Sequence, residues 1–122
     1  MSRPVHFEIP ADQPERAIAF YEKVFNWKFS KWEGPMTYWM ISTGGKEQPG
    51  IDGGLIPRMH PGQGVTNTIG VADVDAALAS LTANGAKITV PKMAIPRIGW
   101  LAYFTDPEGN PGGVMQNDPA AK

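Results

Sequence analysis

The stretch VHFEIPADQPERAIAFYEKVFNW, residues 5–27, changes its apolar period once. Over VHFEIP the period is two. Val5, Phe7 and Ile9 alternate with His6 and Glu8, as on a strand whose two faces differ. Beyond Asp12 the period lengthens to that of a helix, with Ala17, Ile18, Tyr21, Val24 and Phe25 on one face. Asp12 with Glu15 three residues on predicts a capping box, Pro14 suits a first helical turn, and Asn26 can stop the helix. The strand therefore carries a histidine and a carboxylate side by side on its polar face. Such a pair suits a metal site, an acid–base couple, a polar pocket wall or plain solvated surface.

Strand-like runs WKFSKWEG and MTYWMIST follow, with a turn at Gly34–Pro35. The segment GGKEQPGIDGG then leads to a short strand at Leu55–Ile56. Its glycine pairs, 44–45 and 53–54, lack a phosphate-loop setting and predict a mobile flap. The same order then recurs. TNTIGV is a strand, Asp73 caps a helix with Val74, Ala77, Leu78 and Leu81 on one face, and Asn84–Gly85 ends it. AKITV and GWLAYFT are strands, DPEGN (106–110) is a turn, and GGVMQ is the last strand. NWKF (26–29) aligns with GAKI (85–88) and GGLI (53–56) with GGVM (112–115), both 59 residues apart. This order, strand–helix–strand–strand–strand twice over, is an internal repeat. One such unit is too small to cover its own sheet. Two side by side would bury their helix-facing surfaces and curl their sheets around a common hollow. The reading is a single domain over 1–122 with units 1–57 and 65–122, joined by the Pro- and Gly-rich RMHPGQG. A ferredoxin-like α+β domain is the competing fold, but it needs a different strand count.

Composition narrows the function classes. The chain has 122 residues, a net charge of -1 and no run of one charge, so it shows no electrostatic footprint for nucleic acid or an anionic membrane. No apolar run approaches the roughly 20 residues of a spanning helix, and MSRPVHFEIP lacks a signal-peptide core. With no cysteine, disulfides, thiolate-ligated zinc and a thiol nucleophile are excluded, and a reducing cytoplasm fits. Tyr38, Trp39, Met40 and Ile41 on one strand, and Trp100, Leu101, Tyr103 and Phe104 on its counterpart, place large side chains on both strand faces. Tyr38, Met40, Trp100 and Tyr103 are the candidate ligand-binding residues, since aromatic walls with a few polar groups are usual in small-molecule sites. Core or interface packing is the plainer use of any one of them.

HFEIPADQPERAIAFYEKVFNWKF, VADVDAALASLTANGA and DPEGNP, in this order over nearly the whole chain, resemble the vicinal oxygen chelate superfamily. That superfamily includes glyoxalase I, bleomycin-resistance proteins, fosfomycin-resistance enzymes and extradiol dioxygenases. The resemblance implies an α+β fold of tandem βαβββ units forming an open barrel-like sheet with the helices outside, the glyoxalase-like fold. It implies a small-molecule pocket and a homodimer. Phe7 and Ile9 would pack under the helices, and His6 and Glu8 would face the hollow.

Metal-dependent members of the family place a His on the first strand, where His6 stands. The resemblance puts their other ligands near Thr66, Gly54 and Gly113, so three of four are missing here. His6 and Glu8 offer two donors, with His60 and Asp52 as the other candidates, whereas a metal needs several donors in a closed geometry. The expectation is therefore no resident cofactor, with a divalent metal at His6 as the competing reading. His6 with Glu8 is the candidate catalytic pair, a base without an evident electrophile; Arg97 is at most near the pocket mouth. The implied function is a lyase or isomerase acting on a small carbonyl or thiol-adduct substrate. The alternatives are a metal-free binding protein like the bleomycin-resistance relatives, and a dimer with no ligand.

Overall fold

The structure is a computed structural model that describes Ser2–Lys122. Its elements are β1 (Arg3–Ala11), α1 (Pro14–Phe25), β2 (Lys28–Lys31), β3 (Trp39–Ser42), β4 (Asp52–Pro57), β5 (Thr66–Gly70), α2 (Val74–Ala83), β6 (Lys87–Ile95), β7 (Gly99–Thr105) and β8 (Pro111–Asn117). The βαβββ order thus occurs twice, as the repeat implied, and the architecture is the glyoxalase-like α+β fold. The chain divides into two compact units, His6–Val65 and the remainder, with the opening residues of β1 grouped with the second. Among the described residues no helix is long and apolar enough to cross a membrane.

In the unit His6–Val65 the strand order is β2-β3-β4-β1. β1 and β4 run parallel, with Phe7 opposite Gly53 and Glu8 opposite Gly54, while β3 is antiparallel to β4. Ala11, Ile41 and Leu55 are buried beneath α1 together with Phe7, Ile9, Ala17, Ile18 and Trp39. The alternation read from VHFEIP therefore holds: Phe7 and Ile9 are on the helix side. Two local expectations fail in α1. Gln13, not Asp12, is the N-cap residue, and no side chain caps the helix. Asp12 instead accepts a hydrogen bond from Arg58 Nε at 3.1 Å, a partner 46 residues away that competes with the local box. Val24 and Phe25 also stay about half exposed. Phe25 packs on Trp27 instead, with ring centroids 5.6 Å apart. Asn26 does end the helix, in the left-handed conformation with φ 61°.

Gly53 and Gly54 belong to β4 and not to a flap, and β4 is longer than the short strand expected there. A Cβ on Gly53 would overlap Phe7 on the helix side, and one on Gly54 would overlap the Tyr38 hydroxyl on the other. The pair is glycine because rings lie close over both faces of the strand.

The second unit has the order β5-β8-β7-β6, with β5 and β8 parallel. Val74, Ala102 and Val114 form its buried cluster, joined by Ile69, Leu78, Leu81, Trp100 and Phe104. Here the local rules hold. Asp73 accepts from the backbone N–H groups of Asp75 and Ala76 at 2.9 and 3.2 Å, capping α2. At the other end the N–H of Ala86 returns to the Leu81 carbonyl at 2.9 Å. In the DPEGN turn the Asp106 carboxylate accepts from the N–H groups of Glu108 and Asn110, at 2.8 and 2.9 Å.

Candidate functional site

Strand alternation sends His6, Glu8, Asp52, Gly54 and Met40 to the face opposite the α1 core, since their neighbours Phe7, Gly53 and Ile41 face that core. Tyr38 lies just before β3. Its carbonyl accepts from the Trp32 N–H at 2.8 Å, which fixes the backbone there. With no side chain on Gly54, the Tyr38 ring can settle over β4 and bring its hydroxyl to 2.8 Å from His6 Nε2. The hydrogen bond seen at His6 is therefore with Tyr38, 32 residues away in sequence.

Burial lowers the His6 pKa below the ordinary imidazole value, and the nearby Asp52 charge only partly opposes this. The Asp52 carboxylate is itself held by the Thr43 N–H at 2.9 Å. Burial raises the Tyr38 pKa well above the ordinary phenol value, and the Glu8 carboxylate raises it further. At neutral pH the couple is thus a neutral imidazole and a protonated phenol. The phenol donates to Nε2 when the imidazole proton is on Nδ1; in the other tautomer Nε2–H donates to the phenol oxygen. Glu8 is 7% exposed, a buried carboxylate on the same face. A neutral imidazole beside a phenol can take up a proton and supply a hydrogen bond at adjacent points.

The four candidate ligand-binding residues divide by face. Tyr38 and Met40 share the face of His6, and Met40 is nearly half exposed. Tyr103 on β7 lies opposite Gly113 of β8, on the side of its unit turned from α2, where Thr68 also stands. Trp100 is on the α2 side. It packs against the Val74, Ala102 and Val114 cluster, its indole N–H donates to Asp118 at 3.0 Å, and the Lys92 ammonium lies 4.6 Å from its ring centroid. Trp100 and Tyr103 are three residues apart in a strand, so they cannot share a face. His60 is exposed in the linker segment, on an open cleft of about 630 Å³ lined also by Asp12, Arg58 and Met59. Arg97 is an exposed turn residue at φ 67° whose N–H donates to the Ala121 carbonyl. Asp52, expected from the sequence as a candidate donor with His6, does act on it by its charge, whereas His60 lies apart and Gly54 as the seat of Tyr38 is not foreseen. The signal for that seat is a glycine at a place where the repeat needs no turn.

The metal that the resemblance implies is not matched by these residues. Thr66, Gly54 and Gly113 supply no ionisable donor. The space a side chain at residue 54 would use is taken by the Tyr38 hydroxyl. Among the described residues no three His, Asp or Glu side chains form a group suited to a metal ion. No chemical step is therefore derived through a metal.

Comparison with known proteins gives a consistent family. A family model described as Glyoxalase/Bleomycin resistance protein/Dioxygenase superfamily matches residues 3–111. A "Glyoxylase-like domain-containing protein" of Didymella fabae is 32% identical over 110 residues, covering 84% of each chain. Among solved structures, a hypothetical protein from Bacillus halodurans superposes with a TM-score of 0.75 at 14% identity, covering 99% of this chain and 98% of that one. A Streptomyces coelicolor methylmalonyl-CoA epimerase, in complex with 2-nitronate-propionyl-CoA, gives 0.73 at 14% identity, covering 100% and 99%.

Proposed function

The chain belongs to the Glyoxalase/Bleomycin resistance protein/Dioxygenase superfamily, and on that premise we propose that it is a small-molecule isomerase or lyase that removes a proton next to a carbonyl. His6 is the base and Glu8 the second acid–base group. The reading rests on one observation, His6 Nε2 lying 2.8 Å from the Tyr38 hydroxyl on the sheet face opposite the α1 core, where burial lowers the imidazole pKa and raises that of the phenol. An imidazole kept neutral near pH 7 is ready to accept a proton, and general-base catalysis by such a group contributes about 10²–10⁴-fold. The substrate class is a carbonyl compound or thiol adduct with an acidic α-hydrogen, and Tyr38 and Met40 contact it. Epimerases among the solved structures of this fold are in keeping with chemistry at a carbon next to a carbonyl. The same proposal takes the protein to be a cytoplasmic homodimer; light scattering on the purified protein tests the dimer.

The test is exchange of α-hydrogens in deuterated water, followed by NMR over a panel of hydroxyketones, hemithioacetals and acyl thioesters. Exchange above the buffer rate, lost in His6→Ala with the fold intact, is the expected result. Turnover unchanged in His6→Ala would remove the proposal. A second reading, metal-free binding without catalysis, is favoured by the missing donors at Thr66, Gly54 and Gly113. It predicts saturable tryptophan quenching by an aromatic or cationic compound that undergoes no exchange.

A further inference from the structure

We infer that Tyr38 is the electrophilic catalytic residue of the site, its hydroxyl donating a hydrogen bond to the substrate's carbonyl oxygen while His6 Nε2 faces the adjacent C–H. The inference rests on the proton-abstraction reading and supplies the partner that a lone base lacks.

The geometry carries it. The Tyr38 oxygen and His6 Nε2 are 2.8 Å apart. In a carbonyl compound the oxygen and the α-carbon are about 2.4 Å apart, from the C=O and C–C lengths and a trigonal angle. One donor and one acceptor at this separation can therefore engage both ends of the unit that enolises. On binding, the bond between Tyr38 and His6 is exchanged for two bonds to the substrate. The α C–H bond breaks, its proton goes to Nε2, and its electron pair forms the carbon–carbon double bond. The carbonyl π pair moves to oxygen, where the Tyr38 O–H meets the growing charge. Return of the proton to the α-carbon from either side completes a redox-neutral epimerisation with no co-reactant. In an α-hydroxy carbonyl, return to the former carbonyl carbon isomerises the substrate when the hydroxyl proton also passes to the oxyanion and the C=O forms at the neighbouring carbon.

Two further observations are compatible with a donor. The phenol reaches its place only because residue 54 has no Cβ, so the backbone is shaped to admit it. Burial and the Glu8 charge keep the phenol protonated, which is the form that can donate.

The probe is acetohydroxamate, a planar mimic of an enediolate, titrated calorimetrically into the intact protein in the presence of EDTA. Wild type is expected to bind one equivalent. Tyr38→Phe keeps the ring and loses the hydroxyl, and should bind at least roughly tenfold more weakly, the size of one hydrogen bond to a charged oxygen. Gly54→Ala keeps the phenol and removes its seat, and should weaken binding similarly. Circular dichroism melts confirm that both variants are folded. Equal affinity in Tyr38→Phe, no binding by wild type, or binding that needs an added divalent ion would each overturn the inference. The deuterium exchange assay reads the underlying reaction separately. A Tyr38-dependent affinity without exchange would remove the isomerase and with it the catalytic role, leaving Tyr38 as a binding residue only.

Discussion

The two units share one element order and differ in what they place on the face turned from their helix. In the first, Glu8 lies opposite Gly54, with His6 two residues before it. In the second, the matching pair is Thr68 opposite Gly113, with Thr66 two residues before. One unit thus has a buried carboxylate and a half-buried imidazole where the other buries two hydroxyls. A buried threonine needs only a hydrogen bond, whereas a buried carboxylate or imidazole also loses hydration of its charged form. The helices differ in the same sense: α2 has a side-chain cap, and α1 has none and leaves Phe20, Val24 and Phe25 about half exposed. The helix of unit two keeps its local cap, while that of unit one gives its cap up, and the candidate chemistry of unit one lies on the opposite face of the sheet.

The largest effect expected from this contrast is in the first unit's helix-side core. Leu55 is fully buried, with Ala11 and Ile41 as its buried neighbours. Leu55→Ala should cost about 2–5 kcal/mol, from lost burial plus the cavity left behind. Urea unfolding with an unchanged m-value checks it. A loss well under 1 kcal/mol would mean that this cluster is loosely packed and that the first unit depends little on it.

The caps come next. Asp73→Ala removes two hydrogen bonds to the α2 N-terminus and should cost about 1 kcal/mol. Asp12→Ala should cost no more than roughly a few tenths of a kcal/mol, since it breaks only an exposed surface ion pair with Arg58. Paired melts of the two variants decide it. Equal losses would show that Asp12 caps α1 in solution and that the difference between the helices is smaller than drawn.

What could be read in the sequence follows the range of the interactions. Alternation over residues 5–10, the Asp73 cap, the Asn84–Gly85 stop and the DPEGN turn are set by neighbours within a few residues, and each forms as expected. The Asp12–Glu15 box is equally local but loses to Arg58, whose approach depends on the chain returning from 46 residues away. The His6–Tyr38 bond is of this second kind: no pattern in either segment states that the two will meet. The glycine beneath the Tyr38 ring is the available sign, but a Gly–Gly pair taken with its neighbours alone suits a loop as well as the strand GGLI. Trp100 teaches something different. Its parity with Ala102 and Phe104 is already in the sequence and puts it on the other strand face from Tyr103, although the two share one strand.

The finest test separates the two units by pH. His6 has its pKa lowered from 6.5 by burial, so between its folded and unfolded values the unfolded chain holds more protons. Stability therefore rises with pH in that range. The contribution is complete above 6.5 and is lost as pH falls toward the folded value. Asp106 and Asp118, in the second unit, have pKa values lowered from 3.8, the first by hydrogen bonds chiefly from Asn110 and the second chiefly by that from Trp100. Their contribution is present above 3.8 and is lost only as pH falls below it. Denaturant melts at pH 7.5, 5.5 and 3.5 should accordingly show an early loss belonging to the first unit and a later one to the second. His6→Gln is expected to flatten the slope between about pH 7.5 and 5.5 and leave the lower limb alone. An early slope that survives His6→Gln would place the near-neutral titration elsewhere. It would also remove the reason for treating the imidazole as held neutral beside Tyr38.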